Sequence, residues 1–289
     1  GIERMDPKKL HPDIERLIDL ALREDIGAGD ITTELFVPKQ KTSRAYMVTH
    51  EKATIVGAQI VKRVFQKLDP KINVCCAFKD GDIIPANKRI VEINGKTRTI
   101  LIGERVALNF ISHLSAIATN TTAFLKKARP YQAQIVDTRK TTPGFRVAEK
   151  YAIRCAKGVN HRMNLNDMIL IKDNHHLISH LSIVDMMKKA KQRTKKPIGV
   201  EVETFQDFQE AWEANPDLIL LDNMSPSQIK RIIDFTKKDR RKRVPMLEVS
   251  GGVNLDNIRS FAKTGIERIS IGALTHTKKS VNISMEIVI

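Results

Sequence analysis

The 289-residue chain carries 49 Lys and Arg against 33 Asp and Glu, a formal charge of +16, and is 42% hydrophobic but only 5% aromatic. That length suits one large α/β barrel, or a smaller barrel with a second domain, and the core must be aliphatic. No apolar run approaches the ~20 residues of a membrane span, the sequence opens on no basic-then-apolar signal pattern, and the three cysteines lack a CxxC pair and support neither a disulfide framework nor a zinc site.

In chain order, RAYMVTH (residues 44–50) reads as a strand and GAQIVKRVFQKL (Gly57 to Leu68) as an amphipathic helix. NVCCAF follows as a strand. In RIVEINGKTRTIL the pair Asn94-Gly95 separates two strand-like runs and predicts a type I′ hairpin. The stretch Gly103 to Ala128 is a long helix that leads out of this α+β region.

From Ile135 onward short apolar runs alternate with helical segments. The runs are QIVDT (134–138), MILIK (168–172), PIGVEVE (197–203), DLILLD (217–222), PMLEVSGG (245–252) and RISIG (268–272). Runs that are apolar without alternation suit strands covered on both faces. The helices between them carry their own signals. Leu181, Val184 and Met187 define one face; Thr204 caps with Asp207 three residues on; Ser225 caps with Pro226 behind it; Asn254 caps a helix that Gly265 ends. Alternating strands and helices predict parallel βα units, closed as a barrel or open as a doubly wound sheet. The tail alternates Val281, Ile283, Met285, Ile287 and Ile289 and predicts a strand that returns to the first domain's sheet. The division is therefore 1–114 with 277–289, and 115–276.

Two basic runs, Lys188 to Lys196 and Lys237 to Arg243, read as solvated faces. They do not explain cations placed at strand ends. In parallel α/β barrels the reacting groups come from the carboxyl ends of the strands. Those ends, in order, bear Asp137, Arg139 and Lys140; Lys172 with Asp173 and Asn174; Glu201 and Glu203; Asp222 and Asn223; Glu248 with Ser250, Gly251 and Gly252; and Gly272. Asn160-His161-Arg162 falls between the first two. Arg139, His161, Arg162 and Lys172 form a cationic set, and arginine forks match carboxylates in pairs of hydrogen bonds. Glu201 and Asp222 are hard oxygen donors suited to Mg²⁺. The Ser250-Gly251-Gly252 and Gly272 loops offer backbone N–H groups, and the dipole of a following helix, to a phosphate.

These residues bring a family into view. DTRKTTPGFR (137–146), NHR (160–162), LIKDNH (170–175), VEVE (200–203), LLDNMSP, EVSGGV and SIGALTH resemble quinolinate phosphoribosyltransferase, as do EDIGAGDITT (24–33) and GERVALNFISHLSAIAT in the first third. The resemblance runs over nearly the whole chain. It implies an α/β architecture: an incomplete parallel α/β barrel of the type II phosphoribosyltransferase kind, with an N-terminal α+β sandwich domain. It implies transfer from phosphoribosyl pyrophosphate to quinolinate with loss of CO₂, with Mg²⁺ as cofactor. It implies a homodimer or higher even oligomer with shared sites, in which Arg105 enters the neighbour's site. Arg139, His161, Arg162 and Lys172 would hold the pyridine dicarboxylate. Lys140 would contact the phosphoribosyl donor, with Lys140, Lys172, Glu201 and Asp222 the catalytic set. Glu201 and Asp222 would serve Mg²⁺ and the ribose hydroxyls. Ser250, Gly251, Gly252 and Gly272 would line the 5′-phosphate. His276 matches the family's turn without a role. Two places depart from the family pattern: Ala156-Lys157-Gly158 stands where a glycine triplet is usual, and Asn164 where glycine is usual.

Three rivals remain at this stage. One is a barrel aldolase or lyase with Lys172 as Schiff-base amine. Another is a basic RNA-binding protein on an inert barrel. The last is a relative that uses nicotinate or another ring acid and releases no CO₂. The favoured reading expects a soluble cytoplasmic enzyme with no nucleic-acid and no membrane partner.

Overall fold

The computed structural model describes residues 10–239, 244–276 and 279–288. The first part of the chain forms α1 (Pro12–Ile26), α2 (Ile31–Phe36), β1 (Thr42–Thr49), β2 (Ala53–Ile55), α3 (Ala58–Leu68), β3 (Asn73–Cys76), β4 (Asp82–Ile84), β5 (Lys88–Lys96) and α4 (Thr97–Ala128). Then come β6 (Gln134–Val136), α5 (Arg146–Cys155), β7 (Ile169–Ile171), α6 (Asp173–Ser179), α7 (Ile183–Arg193), β8 (Ile198–Val202) and α8 (Phe205–Ala214). The last are β9 (Leu218–Asp222), α9 (Pro226–Thr236), β10 (Met246–Ser250), α10 (Ile258–Ala262), β11 (Arg268–Ser270), α11 (Ala273–His276) and β12 (Ile283–Val288).

The described residues divide into two compact units: 10–122, 141–157 and 279–288 in one, and 123–140 with 158–276 in the other. Segment 141–157 follows the first barrel strand in sequence but packs with the first unit. Its α5 buries Ala148, Ala152 and Ile153, Tyr151 donates its hydroxyl to Asp80 at 2.7 Å, and Glu149 meets His113 of α4 at 2.8 Å.

The first unit is built on an antiparallel sheet in the order β12-β1-β5-β3, with β2 and β4 as a separate pair. The C-terminal strand does return here: Ile283 to Val288 pair antiparallel with Thr49 to Arg44. The predicted hairpin at Asn94-Gly95 does not form. Both residues lie inside β5, Asn94 opposite Arg44 and Asn73, and Gly95 opposite Ser43. Gly95 is needed for close approach instead, since a Cβ there would sit 2.8 Å from Ile72 Cγ1. The following KTRTIL is not a second strand; α4 starts at Thr97, earlier than the Gly103 expected. α4 is long and apolar enough by composition to cross a membrane, yet 61% of its apolar window is buried within the protein, including Ala107, Ile111, Leu114 and Ile117. It serves as a core helix.

The second unit holds a six-stranded parallel sheet in the order β6-β11-β10-β9-β8-β7. Cyclic order with no β6–β7 ladder is that of an incomplete barrel. Val159 adds an isolated parallel bridge to Val136 at the β6 edge. All six predicted strands are present, and Ile219, Leu221, Val200, Val249 and Ile269 bury at 2% exposure or less. Thr204 and Ser225 cap α8 and α9 as expected. The face of α7 differs: Ile183, Met186 and Met187 are buried while Val184 is exposed, because Ser182 starts the helix later than the pattern suggested. Asn254 caps an Asx turn, accepting from the Asp256 and Asn257 N–H groups, and α10 begins only at Ile258. The basic run's residues 240–243 and Ile289 lie outside the described residues.

The core is mainly aliphatic, with single buried aromatics such as Phe65 and Phe124 and a larger aromatic cluster in the second unit. Phe205, Phe208, Trp212 and Phe235 pack in the second unit, with Phe208 and Phe235 edge-to-face at 5.8 Å and the Trp212 indole N–H bonded to Asp239 at 2.7 Å. Burial pushes the Cys76 thiol up to about 12 and the Cys155 thiol up to about 11, so both stay protonated and inert; Cys75 is exposed.

Candidate active site

Six parallel strands direct their carboxyl ends to one side of the second unit, and the residues that follow them are those the sequence marks. Asp137 follows β6, Lys172 follows β7, Glu201 is the penultimate residue of β8, and Asp222 and Ser250 end β9 and β10 opposite one another in register. Gly272 stands just beyond β11.

Four of the predicted residues form one charged cluster. Lys172 Nζ lies 2.7 Å from Glu201 Oε2. Burial, and next the like charge of Arg139, push the Arg162 guanidinium below its ordinary value, partly offset by Asp167 and Glu201. Arg139 is half-buried, and Arg162 donates from Nη1 to the Met168 carbonyl at 3.0 Å. Two guanidinium groups that repel one another in a desolvated setting favour an anion between them. The geometry therefore suits a small polyanion.

His161 joins this cluster in a different state from the one expected. Its Nδ1 accepts the Arg162 backbone N–H at 2.8 Å, so Nδ1 carries no proton and the ring is a neutral Nε2–H donor rather than a cation. The backbone N–H of His161 donates to Asp137 Oδ1 at 2.8 Å, and Asn160 Nδ2 donates to Asp137 Oδ2 at 2.5 Å. Asp137, at 0% exposure, thus anchors the NHR turn.

Lys140 is tied to the loop after β11. Its carbonyl accepts the Thr275 hydroxyl, and a Cβ at Gly272 would lie 3.1 Å from Lys140 Cδ and 3.0 Å from His276 Nε2. Gly251 and Gly252 adopt φ of +90° and +65°. The Asn223 N–H donates to the Ser250 carbonyl at 2.9 Å and its Nδ2 to Asp222 Oδ2 at 2.9 Å, so the loops after β9 and β10 interlock. The expected helix dipoles are weak, because α10 and α11 have only five and four residues. A phosphate there would rest on backbone N–H groups and Lys140.

The departures from the family pattern now have structures. Lys157 is exposed with φ +70°, and Asn164 closes an Asx turn by accepting the Asn166 N–H at 2.8 Å, while Asp167 accepts the Met163 N–H at 2.7 Å. Arg105 is exposed on α4, in the first unit. Asp137, Asn223 and Glu248 stand at the same strand ends without having been assigned roles. A buried acid inside a strand covered on both faces, such as Glu248, was the signal available.

No group of three or more His, Cys, Asp or Glu residues suited to a metal exists among the described residues. Glu201 and Asp222 on neighbouring strands still fit Mg²⁺ of the kind that keeps its waters and arrives with phosphate oxygens. They do not fit a metal held by protein ligands alone.

An α/β-barrel enzyme with a cationic site for a small polyanion is what this geometry defines, and the comparisons with known proteins give it a family. Residues 30–115 match the family described as quinolinate phosphoribosyl transferase, N-terminal domain, and residues 117–286 match its C-terminal domain. The chain belongs to the quinolinate phosphoribosyltransferase family. A probable nicotinate-nucleotide pyrophosphorylase [carboxylating] of Bacillus subtilis is 38% identical over 96% of this chain and 94% of its own. One of Methanocaldococcus jannaschii is 38% identical over 94% and 96%. The nicotinate-nucleotide pyrophosphorylase structure from Francisella tularensis superposes with a TM-score of 0.89 at 36% identity, covering 99% of this chain and 100% of that one.

Proposed function

We propose that this chain transfers the phosphoribosyl group of phosphoribosyl pyrophosphate to quinolinate and releases pyrophosphate and CO₂, giving nicotinate mononucleotide, a step of NAD biosynthesis. The observation that carries the assignment of roles is the Arg139–Arg162 pair beside the Lys172–Glu201 ion pair. A substrate with two adjacent carboxylates needs opposed cations, or its charge stays uncompensated on burial. Arg139, Arg162 and Lys172 provide them, and His161 adds a neutral donor. Held this way, the ring nitrogen faces the donor's anomeric carbon, and such orientation supplies roughly 7–11 kcal/mol of barrier reduction.

The ring nitrogen attacks the anomeric carbon as the bond to pyrophosphate breaks. Lys140 stabilises the charge on the departing phosphates. Glu201 and Asp222 favour the positive charge that develops on the ribose. Mg²⁺ would be held by Glu201 and Asp222 and supplies charge neutralisation to the pyrophosphate. The quaternised ring nitrogen then accepts the electron density left as the neighbouring carboxylate departs as CO₂, and that carbon takes up a proton. No covalent bond to the protein is needed. Lys172 is engaged by Glu201 rather than desolvated in an apolar pocket, which speaks against the Schiff-base rival.

The reading includes a homodimer in which Arg105, exposed on α4, reaches the neighbouring subunit's carboxylate pocket. It also includes a soluble, cytoplasmic setting. The test is one assay with purified protein, quinolinate, phosphoribosyl pyrophosphate and Mg²⁺, followed for nicotinate mononucleotide and CO₂. Turnover of nicotinate without CO₂ release would favour the ring-acid relative instead, and borohydride trapping would favour the lyase. Arg139→Ala is expected to abolish quinolinate binding by calorimetry while the circular dichroism spectrum is unchanged; near-normal affinity would refute the role given to Arg139.

A further inference from the structure

Residues 159–168 leave one edge strand of the open barrel and reach the other. Val159 donates to the Ile135 carbonyl of β6 at 2.8 Å and accepts the Asp137 N–H at 3.0 Å. At the far end Ile169 opens β7 and donates to the Pro197 carbonyl at 3.0 Å. Arg162 lies between, on backbone with no regular secondary structure. A side chain on such backbone keeps one direction only if the two planar peptide groups that flank its Cα are held, because they set its φ and ψ.

Both are held here. The peptide before Arg162 donates its N–H to His161 Nδ1 at 2.8 Å. The peptide after it, whose N–H belongs to Met163, donates to Asp167 Oδ2 at 2.7 Å. The same oxygen receives the Asn164 N–H at 3.4 Å. The guanidinium donates from Nη1 to the carbonyl of Met168, the residue after Asp167, at 3.0 Å. Asp167 therefore folds the chain back so that the backbone and the tip of Arg162 are tied to the far end of one short loop. Two further contacts stiffen that loop. Asn164 Oδ1 accepts the Asn166 N–H at 2.8 Å, and Lys196, in the turn before β8, donates from Nζ to the Asn166 carbonyl and to its Oδ1. Asp167 is exposed, so solvent screens its charge, and its value to the loop is the placement of an acceptor. What charge remains favours the guanidinium: burial, and next Arg139, push Arg162 down, and Asp167 acts in the opposite sense.

We propose that Asp167 is a positioning residue for the anion pocket: by accepting the Met163 N–H it fixes the peptide that follows Arg162 and so aims the Arg162 guanidinium. It acts through Arg162 and bears on the ring dicarboxylate, not on the loops for the donor's phosphates. For its kinetic arm alone, this inference rests on the quinolinate reading above.

The experiment compares the full-length protein with Asp167→Ala, which removes the acceptor, and with Asp167→Asn, which keeps an oxygen for the Met163 N–H and loses the charge. Nitrogen-15 NMR follows the guanidinium signal of Arg162, assigned by its loss in Arg162→Lys. One sharp signal is expected in the parent and in Asp167→Asn, and a broadened signal, shifted toward that of solvated arginines, in Asp167→Ala. The quinolinate KM is expected to rise about tenfold in Asp167→Ala, with kcat and the donor KM changed less than about threefold. Asp167→Asn is expected to restore the quinolinate KM. Should Asp167→Ala fail to fold, Asp167→Ser, whose shorter side chain suits a turn but falls short of Met163, takes its place. A parent-like Arg162 signal and quinolinate KM in a folded variant without the acceptor would overturn the proposal, and so would failure of Asp167→Asn to restore them. A rise in both KM values with an equal fall in kcat would mark a merely structural role and overturn it as well. Absence of quinolinate turnover in the parent would instead overturn the functional reading, and the guanidinium signal would still judge Asp167.

Discussion

Lys157 holds a φ of +70° just past the cap of α5, with its N–H bonded to the Arg154 carbonyl at 2.9 Å. That is the position where helices prefer glycine, because a Cβ crowds the backbone in the left-handed region. The sequence flags the site as a lost glycine, and the backbone shows what the loss entails. Lys157→Gly is expected to stabilise the protein by about 0.5–1 kcal/mol after the extra freedom of glycine in the unfolded chain is subtracted. Differential scanning calorimetry would show this as a rise of about 1–4 °C in melting temperature. Gly251 presents the opposite case. At φ +90°, a Cβ would sit 2.1 Å from Asn223 Oδ1 and 2.8 Å from its Cγ, so the Asn223 bracket must move. Asp222 accepts from that same amide at 2.9 Å and would move with it. Gly251→Ala is expected to raise the KM for phosphoribosyl pyrophosphate about tenfold and to destabilise the fold by ~1–3 kcal/mol. Steady-state rates at varied donor concentration check the first and urea denaturation the second. An unchanged donor KM would remove the β10 loop from the phosphate site.

At the scale of elements, α2 is six residues long and depends on its cap. The Thr33 hydroxyl and then the Thr33 N–H bond to Asp30 and hold its carboxyl below the ordinary value. A depressed carboxylate contributes its stability in full above its unfolded pKa and loses it as pH falls through the lower folded pKa. Asp30→Ala is therefore expected to cost about 1 kcal/mol at neutral pH, with the difference between variant and parent closing as pH falls below the ordinary carboxylate range. Thermal melts across that range check it; a difference that persists in acid would show that the carboxylate charge is not the cause. Asp30 lies in a stretch whose cap was not read from the sequence, while Thr204 and Ser225 were, because those two precede clear apolar helical patterns. The six barrel strands were legible for a similar reason: continuous aliphatic runs between capped helices leave few alternatives. Asn94-Gly95 misled because the same dipeptide serves a turn or a close approach, and only the position of Ile72 decides between them. Rim residues were legible as charges at strand ends. The neutral state of His161 was not, because it follows from a backbone N–H that periodicity does not place. Nor was α6, which starts directly at Asp173, where the Lys172 N–H finds His175 Nδ1 at 3.0 Å.

For the whole molecule, the proposed role of Arg105 in a neighbouring subunit's site can be tested by mixing variants. Arg139, Arg162 and Lys172 lie in the second unit, whereas Arg105 is exposed on α4 of the first. If Arg105 completes the pocket of a neighbouring subunit, each site needs residues from two chains, and the symmetric dimer has two such sites. Subunits carrying Arg105→Ala and subunits carrying Arg139→Ala would each be inactive alone. In a mixed dimer, the barrel of the Arg105→Ala subunit keeps its own Arg139 and receives Arg105 from its neighbour, so that site is whole. The other site lacks both arginines. Random exchange makes half of the dimers mixed, each with one working site of two, so roughly a quarter of the parent activity is expected to return on mixing under conditions that let subunits exchange. The assay is nicotinate mononucleotide formation before and after exchange, with each variant alone as control. Recovery of activity would require both a dimer and a shared site. No recovery, with exchange verified by mass spectrometry of differently tagged subunits, would place Arg105 in the pocket of its own chain or outside the site altogether. A monomeric chain with full activity would exclude the shared site outright, since the exposed α4 arginine would then have no neighbour to serve.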